Sequence, residues 1–421
     1  MRIWLLQTGE PLPLDTTATK MRTALLADEL LARGHDVVWW ASAFDHLRKQ
    51  MIFAEDREVR VHARLTIRTL RGIPYRRNVS LARYADHLLV ARKFRRAATL
   101  APRPDLVVAS SPDYHLAAEG ARLARRYGIP VVVDLRDPWP DSFLDVLPPA
   151  VVPLARLALA ADANKVRVLL RQADGLVAMM EELLQWGLSY SGRIRSWRDR
   201  VFYLGGRTTG IQADHVGGPL AELIERCRGR RVIAYVGTFG AYNNPRVVVR
   251  AARFLSERVG LRQEYAFVVA GDGVGRMAVR REASDLTNVF FPGWLRDSEV
   301  AALLAVSSLA VIPWNRAKPS ASGKDFSYAF PNKAFTYLRA GVPVLASAEG
   351  DLKHLLAEYD AGMFFRPDDA QDLAQMIAAL VDNGDRLDVL SRNARRLFEE
   401  KLSAERIYGE YAEFLEAVAV C

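Results

Sequence analysis

Cysteine is almost missing from this sequence. Cys227 and Cys421 are the only two in 421 residues. They cannot build a disulfide framework or a cysteine zinc cluster, so a reducing, cytoplasmic compartment is expected. Long apolar runs are missing too. The longest uncharged stretch, Val300–Asn315, has 16 residues and contains Pro313, short of the ~20 apolar residues that span a bilayer. Met1–Gln7 carries one short apolar run and no cleavage site, so no signal peptide is expected. No low-complexity tail and no repeat of about 20–50 residues is visible. There is no Asp-x-Asp pair, no His-x-x-x-His or Cys/His metal spacing, no Gly-x-Ser-x-Gly and no Walker-type phosphate loop. The sequence therefore offers no metal site and no serine-hydrolase nucleophile.

What is present is an ordinary globular composition, 50% hydrophobic and 25% charged. A chain of this length is expected to form two domains. Its net charge of +9 comes from 58 basic and 49 acidic residues. Residues 1–205 carry 31 basic and 22 acidic groups, while 206–421 carry 27 of each. The block 48–103 is the extreme, with 15 basic and 4 acidic residues. Either an anionic partner meets that face, or the 49 arginines against 9 lysines reflect genome composition.

Short apolar strands alternate with helical patterns throughout. Ile3–Leu6, Val37–Trp40, Leu106–Ala109 and Val131–Val133 read as buried strands, with helices over Lys20–Arg33 and Leu116–Tyr127. The pattern restarts with strands Val232–Val236, Ala266–Ala270, Leu309–Ile312 and Val344–Ala346, and a helix over Arg246–Glu257. Apolar strands between helices mean parallel sheets covered on both faces. The Gly-, Ser- and Arg-rich stretch Gly187–Gly218 is the best linker candidate. The expected fold is α/β, two doubly wound domains facing a cleft, with ligands beyond the strand carboxyl ends.

Several strand exits carry chemistry. Gly271-Asp272-Gly273 closes one, and fits a tight turn as well as a nucleotide contact. Pro331-Asn332-Lys333 opens a helix that Gly341 ends. Asn332 is expected to cap it, and the free N–H groups beside Lys333 would suit a diphosphate. An ordinary capped helix with a solvated lysine is the alternative. The Ser/Gly-rich loop Trp314–Phe330, with Arg316, Lys318 and Lys324, reads as a lid or a surface loop. Arg136, Asp137 and Asp141 crowd the exit of Val131–Asp134, as a catalytic group or a structural ion pair. His115 stands at another exit and His35 follows Gly34; both suit structural roles. Trp294 either stacks on a base or fills the core.

In this order the pieces resemble the family-four glycosyltransferases of the GT-B fold, two Rossmann-like domains. The resemblance rests on Arg33-Gly34-His35-Asp36-Val37, the Asp134–Pro140 run, Val236–Gly240, Val269–Gly273 and Phe330–Ser347. It is nearest to a bacterial subgroup that builds surface polysaccharide, often on lipid-linked acceptors. It implies an acceptor domain over 1–204, a donor domain over 205–401 and a final segment, 402–421, whose helix Ala404–Val418 crosses back. Residues Gly237, Thr238, Phe239, Gly240, Gly271, Asp272, Gly273, Trp294, Asn332, Lys333 and Thr336 would hold the nucleotide-sugar donor. Arg136 and Asp137 would face the reacting sugar, and Lys20, Arg22, Asp113 and His115 the acceptor. The resemblance implies a retaining reaction with no metal and no cofactor besides the donor substrate, and a peripheral contact between the basic domain and the inner membrane face.

The family's two glutamates, eight positions apart, fall here on Tyr328 and Thr336. Its Arg and Lys after the Gly237 strand fall near Thr238 and Asn243. Arg246 or Lys324 could replace the missing charge. Two other readings stay open, a non-catalytic partner in a glycan assembly complex and a nucleotide-sugar 2-epimerase. A nucleic-acid role has no recognition module behind it.

Overall fold

In the computed structural model the chain forms two compact units. The first takes Met1–Leu204 and the chain from Ile407 onward; the second lies between Gly205 and Arg406. The structure describes residues 1–14, 20–207, 217–240, 242–257, 264–314 and 330–420. Arg316, Lys318, Lys324, Tyr328, most of the expected lid and Cys421 lie outside them.

The first unit is built on an eight-stranded sheet. In chain order its strands are β1 (Arg2–Leu6), β2 (Asp36–Ser42), β3 (Arg57–His62), β4 (Leu65–Leu70), β5 (Leu106–Ser110), β6 (Val131–Leu135), β7 (Gly175–Ala178) and β8 (Asp199–Val201). Their spatial order is β8-β7-β6-β5-β1-β2-β4-β3. All neighbours are parallel except β3 against β4. Helices α1 (Arg22–Ala32), α2 (Leu81–Ala97) and α3 (Tyr114–Tyr127) belong to this unit. Trp4 of β1, Trp40 of β2 and Phe94 of α2 are fully buried and meet edge to face, with ring centroids 5.0–6.1 Å apart. That geometry adds to the burial of three large rings.

The described part of the expected linker holds regular structure. Helix Glu181–Ser191 runs through it and strand β8 follows. Gly187 is a packing residue: a Cβ there would come within 2.4 Å of the Leu135 side chain. Its lack of a side chain lets the helix press on β6, a need that sequence alone does not separate from a loop glycine.

The last helix, α4 (Ala404–Val420), extends two residues past its expected end. From Ile407 onward it is part of the first unit. Glu416 accepts from Arg33 at 2.8 and 3.0 Å and lies 2.7 Å from His35 Nε2. Those hydrogen bonds, Arg33 foremost, draw the Glu416 carboxyl down to about 2. His35 therefore helps anchor a helix 381 residues further along.

The second unit holds a six-stranded parallel sheet. Its strands are β9 (Arg231–Val236), β10 (Tyr265–Ala270), β11 (Val289–Phe290), β12 (Ser307–Ile312), β13 (Val344–Ala346) and β14 (Gly362–Phe364), in the order β11-β10-β9-β12-β13-β14. Their Val, Ile, Ala and aromatic residues are buried on both faces, as parallel sheets require. Among the described residues no helix is long and apolar enough to cross a membrane.

Candidate functional site

The site in the second unit is made by two glycine exits packed backbone to backbone. After β10 the chain turns at Gly271 (φ 133°), and after β9 at Gly237 (φ 156°). A Cβ on Gly271 would lie 1.8 Å from the Gly237 carbonyl oxygen. Only glycine fits, both for space and for the backbone angle. The turns are stitched by Gly237 N–H to the Ala270 carbonyl, Phe239 N–H to the Asp272 carbonyl and Gly275 N–H to the Phe239 carbonyl. Gly271 N–H donates to Gly293, and Gly273 N–H to the Asp272 carboxylate.

This engagement narrows the expected phosphate cradle. The N–H groups of Gly237, Phe239, Gly271 and Gly273 are already bonded. Those of Thr238 and Gly240 have no partner among the described residues. Phe239 turns its ring into the core against Tyr235, so its side chain is not a ligand contact.

Lys333 lies against these turns. A Cβ on Gly237 would sit 2.7 Å from its Nζ. The ammonium donates to Asn243 Oδ1 at 2.6 Å and stands 4.4 Å from the centre of the Tyr235 ring. No carboxylate reaches it among the described residues. Desolvation lowers its pKa to about 7. The Tyr337 hydroxyl fastens the same helix to β9 through the Val236 backbone at 2.8 Å.

A cavity of about 170 Å³ opens beside Lys333. Gly237 and Gly271 line one part of it; Trp294, Leu295, Asp297 and Thr336 line the rest. Trp294 is 68% exposed, so it is a surface ring at this cavity and not a core aromatic. Asp297 is the one carboxylate in the lining among the described residues. Asn332 departs from expectation: it is exposed, already helical in its backbone and makes no side-chain cap. The helix it precedes has seven residues, so the ammonium, not a capped helix end, supplies the positive charge. Arg246 is not brought to the cavity. It pairs with Glu282 at 2.6 Å, as does Arg250. Asp272 is exposed and holds Arg276 at 3.1 Å.

In the first unit, the expected catalytic arginine is part of a buried ion network. Arg22 grips Asp134 with Nε and Nη2 at 3.0 Å and donates to the Phe202 and Tyr203 carbonyls. Arg136 grips the same carboxylate at 3.0 Å, together with Glu10 and the Thr23 hydroxyl. Burial alone would raise the Asp134 carboxyl, but the two guanidinium groups hold it below its usual range. The Arg22 and Arg136 side chains are only 1% and 11% exposed. Two cations and two anions neutralise one another there, so both arginines are structural rather than acceptor or sugar contacts. Asp137 does stay exposed at the exit. Desolvation by neighbouring groups raises its carboxyl, against the opposing fields of Arg83 and Arg136.

The other acceptor candidates divide. Lys20 makes a surface ion pair with Asp28 at 2.7 Å. Asp113 is buried, caps α3 through Leu116 N–H and accepts from the Thr8 hydroxyl. His115 is buried beside Lys165, 2.8 Å from Nδ1, and burial first, then Lys165, lowers its pKa to about 4. No cluster of three or more metal-ligating side chains occurs among the described residues. Tyr235, Asn243, Asp297 and Tyr337 were not singled out as donor contacts by sequence reasoning. Asn243 had a faint signal in its place three residues past Gly240; the others had none.

Residues 17–205 match the family model described as glycosyl transferase 4-like domain, and residues 225–397 the model for glycosyl transferases group 1. The chain belongs to the family-four-type glycosyltransferases of the GT-B fold. A search of curated proteins finds no match. Among solved structures, Anabaena HepE in complex with UDP superposes with a TM-score of 0.64 at 16% identity, over 99% of this chain and 100% of that one. Sucrose-phosphate synthase from Thermosynechococcus elongatus gives 0.67 at 13%, over 100% of both chains. The α,α-trehalose 6-phosphate synthase of Burkholderia multivorans gives 0.70 at 15%, over 100% and 99%. At such identities the likeness is one of fold.

The ion network of this glycosyltransferase yields a prediction. Asp134→Ala leaves Arg22 buried with no carboxylate among the described residues, Arg136 keeping only Glu10, and destabilises the first unit by about 3–5 kcal/mol. Urea denaturation followed by tryptophan fluorescence measures it; a loss below about 1 kcal/mol contradicts the structural role.

Proposed function

We propose that this glycosyltransferase moves a sugar from a nucleoside diphosphate donor to a hydroxyl of a glycan or lipid-linked acceptor, with retention at the anomeric carbon, in surface-polysaccharide assembly. One observation carries the donor half. Lys333 is a desolvated cation with no carboxylate partner among the described residues, held between an amide, a tyrosine ring and a glycine turn, on the wall of a cavity. A diphosphate supplies the missing countercharge. As the sugar leaves, charge builds on that diphosphate, and an ammonium already in place stabilises it with little reorganisation. The N–H groups of Thr238 and Gly240, without a partner among the described residues, would donate to the same oxygens. Trp294 offers a face to the base, and Asp297 and Thr336 offer acceptors to ribose hydroxyls. HepE, bound to UDP in its crystal structure, makes UDP the first nucleotide to test.

Thr336 also favours a second reading, a nucleotide-binding partner without turnover, because a hydroxyl replaces the carboxylate that the family resemblance places there. Product formation over a panel of nucleotide sugars separates the two: turnover with any donor supports the enzyme, and binding without turnover supports the partner.

The acceptor half is proposed to work at an anionic membrane. Leu81, Leu154 and Leu157 are largely exposed in the first unit. Arg92, Arg95, Arg122 and Lys165 line a groove of about 370 Å³ in the same unit. Each cation near anionic lipid contributes about 1 kcal/mol.

Two results are expected. In calorimetry, Lys333→Met weakens UDP binding by about ten- to hundredfold, the scale of a lost charge-assisted contact, and Asp297→Asn by about tenfold. No binding of UDP, GDP or dTDP by the wild type, or unchanged affinity in Lys333→Met, defeats the donor assignment. In liposome co-sedimentation, binding requires anionic lipid and falls as salt rises; indifference to both contradicts membrane docking.

A further inference from the structure

Arg22 and Arg136 are buried against carboxylates, but two other cations of the first unit are not. Arg83, in the first turn of α2, is 8% exposed. Its guanidinium lies 4.5 Å from the centre of the Trp139 ring, and Nη1 donates to the Asn78 carbonyl at 2.8 Å. Nε points at His87 Nε2, 3.4 Å away. Lys49 sends its ammonium to Asn78 Oδ1 at 2.5 Å, faces His46 Nδ1 at 3.5 Å and stands 5.1 Å from the centre of the Tyr75 ring. The same ring lies 5.8 Å from Arg83. Neither cation has a carboxylate within ion-pair distance among the described residues.

The neighbouring carboxylates are occupied or remote. Asp45 accepts from the backbone N–H groups of Leu47 and Arg48. Asp86 accepts from Ile73 N–H, and Asp113 caps α3. Asp137 acts on Arg83 only through its field. Desolvation lowers the pKa of both Lys49 and Arg83; the field of Arg83 lowers Lys49 further against that of Asp45, while the fields of Asp137, Asp113 and Asp86 work in favour of the charged Arg83. The groups in direct contact with these two like charges are neutral, namely an amide, a phenol, an indole and two histidines, and the carboxylates Asp45, Asp86, Asp113 and Asp137 act on them only through their fields.

Their place in the fold is equally specific. Lys49 follows β2, Trp139 follows β6 and Asp113 follows β5, so the cluster gathers at the carboxyl edge of the parallel sheet. That edge is where open α/β sheets bind ligands. We infer that Lys49 and Arg83 form a phosphate site for the acceptor substrate, so that the hydroxyl to be glycosylated belongs to a phosphate-bearing molecule. The inference rests on the donor-and-acceptor reading above and names the acceptor's class. A phosphate monoester matches it well: it is dianionic near neutral pH, and its oxygens accept from a guanidinium and an ammonium at once. Tyr75 and Asn78 keep the two cations apart and aimed. The source of the phosphate is either a soluble sugar phosphate or a lipid phosphate, and the chemistry of recognition is the same.

The test uses the whole chain saturated with UDP, which fills the Lys333 cavity, and titrates inorganic phosphate by calorimetry. One further site is expected. Its affinity falls at least tenfold in Lys49→Gln and in Arg83→Gln, and does not change in Arg281→Gln, at an exposed arginine of the second unit. Circular dichroism and the thermal midpoint verify each variant's fold; Lys49 is half-buried, so its variant keeps the test decisive if Arg83→Gln unfolds. No phosphate site in the UDP-saturated wild type, or unchanged affinity in a folded Lys49→Gln, overturns the inference. Glucose 6-phosphate and neutral phosphatidylcholine vesicles carrying a polyprenyl phosphate are then competed against phosphate. Displacement by the first points to a soluble acceptor, by the second to a lipid acceptor, and by neither against the site. Should UDP fail to bind at all, the donor reading falls by itself, and phosphate titration of Lys333→Met still tests Lys49 and Arg83 alone.

Discussion

The ammonium of Lys333 rests on the backbone of Gly237, with an amide oxygen and a tyrosine ring for company and no carboxylate among the described residues. The rest of the second unit can be understood as what makes that position possible. Gly271 must lack a Cβ for the β10 turn to lie on the Gly237 carbonyl. Gly237 must lack one for the lysine to come so near. Tyr337 ties the lysine's helix to β9, and Asn243 gives the ammonium a neutral acceptor. A cation placed there with a carboxylate would be satisfied already; without one it is a receptor for an anion. This is how a desolvated charge becomes a binding device rather than a stability cost.

The first unit shows the opposite use of charge and, beside it, the same use again. The network of Glu10, Arg22, Asp134 and Arg136 closes on itself, joining the exits of β1 and β6 to the start of α1. It fixes the carboxyl edge of the sheet and leaves little for a ligand. Lys49 and Arg83, at the same edge, are held by neutral groups. The basic excess of residues 48–103 therefore has two components. Most of its arginines face solvent, where a charged surface such as a membrane can meet them, whereas Lys49 and Arg83 are turned toward the protein.

Much of the architecture was legible. Buried strands such as Val131–Leu135 and Tyr265–Ala270 announce themselves by unbroken apolar runs, and Gly128 and Gly341 mark helix ends through their backbone freedom. Lys333 and the glycine exits stood out because strand carboxyl ends are where such residues gather. What was not legible depends on partners far away in sequence. Arg136 looks catalytic until Glu10, 126 positions earlier, is seen to hold it. Arg246 looks available until Glu282 takes it. Gly187 resembles a linker residue until Leu135 is found against it. Asp297 carries no local mark, since a surface helix start looks the same with or without a cavity beside it, and Asn243 is marked only by its place after the Gly237 turn.

The most direct test of the account is the titration of the Lys333 ammonium by NMR, with isotope-labelled lysine and Lys333→Met for assignment. The account predicts an ammonium that loses its proton near pH 7 in the free chain and at distinctly higher pH once UDP is bound, because the diphosphate favours the charged form. An ordinary lysine value of about 10.4, unmoved by UDP, would contradict it.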